Sequence, residues 1–136
     1  MKIVVGYLDS PEGEAALARA IEEARLRDAE LIVVHSMRGG TRDEINQTLR
    51  YREQLDEVQR RLEAEGILFQ VRELVLGNSP SEDLLAFCEG EGADLIVIGI
   101  RRRSPVGKLV LGSNAQDILL RSECPVLAVK AGAAAA

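Results

Sequence analysis

Four cations, Arg101, Arg102, Arg103 and Lys108, crowd one segment of a chain whose formal net charge is −5. The segment opens at Gly99 and closes on Gly112-Ser113-Asn114. Basic side chains between glycines suit a phosphate. Free N–H groups at the start of a helix point at an anion, and the helix dipole favours negative charge there. Gly99, at the expected end of a strand, would let a ligand approach the backbone. The Ser113 hydroxyl can donate to a phosphate oxygen, and an arginine can add a charge-assisted bond. The plainer readings are a glycine turn with a serine cap and a solvated cluster of charge.

The remaining reactive residues do not assemble into a catalytic pattern. His35 is the sole histidine. No Ser, Cys or carboxylate in the sequence suggests a triad with it, so a structural role is expected. There is no Gly-x4-Gly-Lys-Ser/Thr motif and no metal-ligand cluster. Phosphoryl transfer by Ser104 or Ser113 would need a Mg²⁺ carboxylate, for which Asp9 is the only nearby candidate. A binding protein rather than a turnover enzyme is expected. Cys88 and Cys124 belong to no CxxC or metal-spaced pair and read as two buried cytosolic thiols. The acidic balance argues against broad nucleic-acid binding, which needs a basic surface. No apolar run approaches the ~20 residues of a membrane helix. The opening Met1-Lys2-Ile3-Val4-Val5-Gly6 reads as the first strand of a cytoplasmic protein.

Elements that would position these residues alternate along the chain. Ile3 to Tyr7 is a short apolar run. Ser10 then caps a helix that has Pro11 at its first position, with Ala16, Leu17, Ala20, Ile21 and Ala24 on one face. Leu31 to His35 is a second strand. Thr41 and Glu44 form a capping-box pattern for a charged helix reaching about Glu65, with Ile45, Leu49, Leu55, Val58 and Leu62 as its apolar stripe. Phe69 to Leu76 is a partly wet strand, which marks a sheet edge. Ser79-Pro80-Ser81-Glu82 starts another helix, Leu95 to Ile98 is a fully apolar strand, and a helix runs from about Gly112 to Arg121. Pro125 introduces a last strand, Val126 to Val129. Residues 131–136, Ala-rich, read as a flexible tail after a domain spanning residues 1–130.

Five strands alternating with four helices predict an α/β fold, a doubly wound five-stranded parallel sheet with helices on both faces. The most apolar strands, the first and fourth, belong at its centre. Ligands in such sheets bind beyond the carboxyl ends of the strands, where the winding reverses. With the first and fourth strands adjacent, residues 7–10 and 99–103 line that crevice.

The motifs also carry a resemblance. Gly99, Arg102, then nine residues to Gly112-Ser113 follow the Gly-x2-Gly-x9-Gly-Ser/Thr signature of the universal stress protein family, with Arg102 in the second glycine's place. Ile3-Val4-Val5-Gly6 with Asp9-Ser10 at the start, and Cys124-Pro125-Val126-Leu127-Ala128-Val129 at the end, resemble the family too. The resemblance implies an adenine-nucleotide alpha-hydrolase-like fold with strand order 3-2-1-4-5. It also implies a stress-response regulator that binds ATP or AMP, with Mg²⁺ only alongside ATP. A homodimer through Val126 to Val129 is implied as well. The implied nucleotide contacts are Tyr7, Asp9, Ser36, Gly99, Arg101, Arg102, Gly112, Ser113 and Asn114. The family's acid after the first strand aligns with Leu8, and Asp9 stands one position later. Asp9 either holds a ribose hydroxyl or only favours a helix start. Arg102 either replaces backbone contacts to phosphate or fills the pocket, which would leave a nucleotide-free dimeric scaffold.

Overall fold

The computed structural model describes residues 1–7, 11–36, 44–74, 79–101 and 112–131. They form, in order, β1 (Lys2–Gly6), α1 (Pro11–Arg27), β2 (Glu30–Ser36), α2 (Glu44–Glu65), β3 (Phe69–Leu74), α3 (Pro80–Glu91), β4 (Leu95–Arg101), α4 (Ser113–Arg121) and β5 (Val126–Ala131). All sheet pairs are parallel, and the strand order is β3-β2-β1-β4-β5. β1 is therefore central, next to β4, as the apolar character of these two strands predicts, and β2 lies on its other side.

The two-residue period of the strands divides the core into two layers. Ile3, Val5, Leu31, Val33, Leu95 and Val97 face the apolar stripe of α1 and, from α2, Val58 and Leu62. Val4, Ile32, Val34, Ile96, Ile98 and Ile100 face Leu84 and Cys88 of α3 and Ile118 of α4. Pro11 is the first residue of α1 and Pro80 of α3, each at a position where its missing N–H removes no helix bond. Ser79 caps α3 by accepting the Glu82 N–H at 3.3 Å. The helix stops at Gly92, whose left-handed φ of 68° suits glycine.

Two expectations change at strand ends. β4 continues past Ile98 to Arg101, because Gly99, Ile100 and Arg101 go on pairing with Val129, Lys130 and Ala131. Ala131, expected in the tail, closes β5 and is buried. β3 is described as far as Leu74, and Val75 and Leu76 lie outside the described residues. So do residues 132–136 of the expected tail.

Both cysteines are free. Cys88 is buried between α3 and the sheet. Burial, with a smaller effect from nearby Cys124, pushes its thiol up to about 12, so it stays protonated and unreactive at neutral pH.

Candidate functional site

The sheet splits at its carboxyl edge. β1 and β4 pair from Ile3–Leu95 to Val5–Val97 and no further. Beyond that point β1 stays with β2, through Gly6–Val34, while β4 stays with β5 out to Arg101. The strands diverge where the winding reverses, the place at which doubly wound sheets bind ligands.

A crevice of about 150 Å³ opens there. Its floor is Gly6, Tyr7, Val34, Ile98 and Gly99. One wall is the start of α3, through Pro80, Ser81 and Leu84, and the other is the start of α4, through Asn114, Ala115 and Ile118. The lining is mostly apolar with polar groups at the two helix starts, a common make-up for small-molecule sites. Segments 8–10, 37–43 and 102–111 follow directly on β1, β2 and β4 in sequence and lie outside the described residues. A wider groove, about 430 Å³, runs between α3 and the α4–β5 turn, lined by Cys88, Gly92, Ser122 and Cys124 among others. It reaches the beginning of β4, away from the edge where such folds bind ligands.

The expected contact residues divide into four groups. Tyr7, Gly99 and Asn114 line the crevice. Gly112 and Ser113 are exposed at the head of α4, next to Asn114. Ser36 ends β2 beside Leu74, and Arg101 ends β4 beside Ala131, both placed by their backbones. Asp9 and Arg102 lie outside the described residues.

Two of these residues also hold the fold together. The Tyr7 side chain is buried on the α1–α2 layer. Its hydroxyl donates to Glu14 Oε1 at 3.0 Å, and Arg61 of α2 donates to the other Glu14 oxygen at 3.1 Å. Tyr7 therefore offers the crevice its backbone. Gly99 faces α1, and a Cβ there would fall within 3.0 Å of the carbonyl oxygen, carbonyl carbon and Cβ of Glu12. The first turn of α1 by itself requires glycine at this position.

Gly112 is the opposite case. It caps α4 in an extended conformation, φ −66° and ψ 160°, with no side-chain bond to the helix N–H groups. Among the described residues nothing lies within 4 Å of a Cβ placed there. Neither its φ nor packing against described residues calls for glycine, and Gly112 itself gives the first turn of α4 no side-chain cap.

His35 Nδ1 lies 3.1 Å from the Tyr7 carbonyl oxygen. A carbonyl only accepts, so Nδ1 carries the proton and donates. Burial lowers the imidazole pKa to about 4, with the Tyr7 bond opposing in part. The ring is neutral near pH 7 and braces the chain as it leaves β1. In the unfolded chain an ordinary His takes up its proton near 6.5. The unfolded state thus binds more protons between about 6.5 and 4, and stability falls as pH falls through that window. After allowance for partial exposure, about 1 kcal/mol is expected to go between pH 7 and 5 on this account. Glu23, whose pKa is lowered chiefly by its bond to Arg27, loses its contribution only at lower pH. Urea unfolding at both pH values should show a steeper loss for wild type than for His35→Asn. Equal losses would contradict the assignment.

The residues that sequence reasoning missed are mainly apolar or small: Gly6, Val34, Leu84, Ile98, Ala115 and Ile118, with Pro80 and Ser81. Position at the end of a strand gave a signal for the first, and Ser79-Pro80-Ser81-Glu82 was legible only as a helix start.

The universal stress protein family model matches residues 1–130. The chain belongs to the universal stress protein family. A universal stress protein of Mycolicibacterium smegmatis is 42% identical over 128 residues, covering 94% of this chain and 96% of that protein. The solved structure of a universal stress protein from Archaeoglobus fulgidus superposes with a TM-score of 0.82 at 40% identity, covering 96% of this chain and 98% of that one. A second Archaeoglobus fulgidus structure, solved in complex with dAMP, gives 0.75 at 34% identity over the same shares of the two chains. The sheet order and helix placement are those of the adenine-nucleotide alpha-hydrolase-like fold.

Among the described residues, no helix is long and apolar enough to cross a membrane. Nor does any group of three or more His, Cys, Asp or Glu among them sit where it would hold a metal.

Proposed function

We propose that this chain is a cytoplasmic regulator of the stress response that binds an adenine nucleotide in the crevice between β1 and β4, without turning it over. The observation that carries this reading is the junction of an apolar cleft with the start of α4, where Gly112 supplies no side-chain cap. Gly112, Ser113 and Asn114 offer N–H groups and a hydroxyl to phosphate oxygens. Arg101 and Arg102 supply charge, the backbones of Tyr7, Ser36 and Gly99 border the nucleoside, and Asp9 takes a ribose hydroxyl. AMP or ATP fits this chemistry, with Mg²⁺ accompanying ATP only. The dAMP complex of the Archaeoglobus fulgidus relative supports an adenine ligand in this fold. Protein purified from cells is to be denatured and the supernatant separated by chromatography and weighed by mass spectrometry. An adenine nucleotide at about one per chain is expected. Its absence, together with no heat on titrating AMP or ATP, would sink the proposal.

The alternative is a nucleotide-free dimeric scaffold. One observation favours it: the described residues enclose about 150 Å³, less than the roughly 300–1,000 Å³ of ordinary small-molecule sites.

Both readings include a homodimer through β5. It is an edge strand, and its unpaired backbone is a template for another strand. The Pro125 carbonyl accepts from Ile96 N–H at 3.0 Å. By the alternation of the strand, the backbone groups of Leu127 and Val129 face β4, and those of Val126, Ala128 and Lys130 face outward. Ala128→Pro removes an outward donor and leaves the β4 bonds in place. Light scattering should show wild type as dimer and a folded Ala128→Pro as monomer. A monomeric wild type at micromolar concentration would refute pairing.

A further inference from the structure

Ser79, Ser81 and Asp117 form a hydrogen-bonded chain from the start of α3 to the second turn of α4. Ser81 Oγ donates to Asp117 Oδ2 at 3.1 Å. Ser79 Oγ lies 3.2 Å from Ser81 Oγ and accepts the Glu82 N–H. A serine hydroxyl carries one proton. Ser81 commits its proton to Asp117, so Ser79 is the donor to Ser81. The chain therefore runs one way, from Glu82 N–H through Ser79 and Ser81 to Asp117.

Its placement gives it a consequence for the crevice. Ser81 is fully buried and lies in one wall. Asp117 lies three residues from Asn114 and next to Ile118, both in the other wall. The two walls also meet through apolar side chains such as Leu84 and Ile118. Apolar contact is non-directional and permits sliding. A buried hydroxyl with one acceptor is directional, and leaving it unmet costs more than the bond contributes. The bond therefore selects one spacing of the two helix starts.

We propose that Ser81 and Asp117 are positioning residues, whose bond fixes the spacing of the α3 and α4 starts and thereby sets the affinity of the crevice for nucleotide. This rests on the nucleotide-binding reading above. Calorimetric titration with AMP compares wild type, Ser81→Ala, Asp117→Ala, the double alanine variant and Asp117→Asn. Each single alanine change should weaken binding about tenfold, the size of one buried polar contact. The double variant should be no weaker than either single, because both remove the same bond. Asp117→Asn keeps an acceptor and removes a negative charge near the phosphate end, so it should bind at least as tightly as wild type. Full affinity in Ser81→Ala, additive losses in the double variant, or a loss in Asp117→Asn equal to that in Asp117→Ala would overturn the proposal.

A wild type that binds no AMP would defeat the nucleotide reading instead. Amide hydrogen exchange without ligand then tests the positioning. Ser81→Ala should speed exchange together at Glu82 to Leu84 and at Gln116 to Ile118, Asp117→Asn should not, and β1 should be unchanged in both. Unchanged exchange in Ser81→Ala would overturn the proposal independently of any nucleotide.

Discussion

Gly99→Ala is expected to destabilise the fold by about 3–4 kcal/mol, at the upper end of what overpacking costs. A single methyl group there would fall within 3.0 Å of three atoms of Glu12, two of them backbone. No rotamer change relieves such a clash, so the first turn of α1 must move or β4 must bend. α1 packs through Ala16, Leu17, Ala20 and Ile21 onto the sheet, and moving it opens that layer. The loss is a large share of the ~5–15 kcal/mol that holds a domain together. Gly112→Ala is the control. It adds the same methyl group where no described atom lies within 4 Å, and its effect should stay within about 1 kcal/mol. Urea unfolding of the two variants beside wild type measures the contrast. A Gly99→Ala protein within 0.5 kcal/mol of wild type, on the scale of ordinary surface changes, would show that α1 does not press on this strand.

The contrast between the two glycines also marks where the sequence was readable. Both look alike in the signature Gly99, Arg102, Gly112-Ser113. One answers to a helix eighty-odd positions earlier in the chain, and the other to nothing described. That difference is tertiary and has no local signal. The central place of β1 and β4 was legible because both carry apolar runs, and Pro11, Pro80 and Ser79 mark helix starts at the right places; the full strand order came with the family resemblance. The ends of β4 and β5 were not legible. Gly99 read as the end of its strand and Arg101 as a loop residue, and Ala131 sits beside an alanine run, yet pairing between the two strands carries all of them into the sheet. Tyr7 was legible as a residue of the crevice but not as a side chain turned away from it toward Glu14. The Ser81–Asp117 bond spans 36 positions between two helix starts that look independent in sequence.

Gly112→Val is expected to weaken nucleotide binding by at least 100-fold while leaving the protein folded. The phosphate end should be the main anchor. A helix start contributes about 0.3–1 kcal/mol to an anion through its dipole, and each charge-assisted bond adds about 1.5–3 kcal/mol. Two such bonds from Ser113, the first-turn N–H groups or an arginine would outweigh a single neutral contact at the ribose. Affinity should therefore rise from adenosine to AMP to ATP. An isopropyl group at position 112 stands between the ligand and these donors. The described neighbourhood is open around Gly112, so lost binding in a variant with wild-type unfolding reports the ligand and not the fold. Arg102 separates the two functional readings. If its guanidinium bonds phosphate, Arg102→Gly weakens ATP binding more than adenosine binding. If its side chain fills the pocket, the same change creates or strengthens binding. Calorimetry on wild type, Arg102→Gly and Gly112→Val, each with adenosine, AMP and ATP, distinguishes these outcomes. Binding that is equal for adenosine and ATP and indifferent to Gly112→Val would remove the phosphate anchor. Silence from both wild type and Arg102→Gly would leave the dimeric scaffold as the function of this fold.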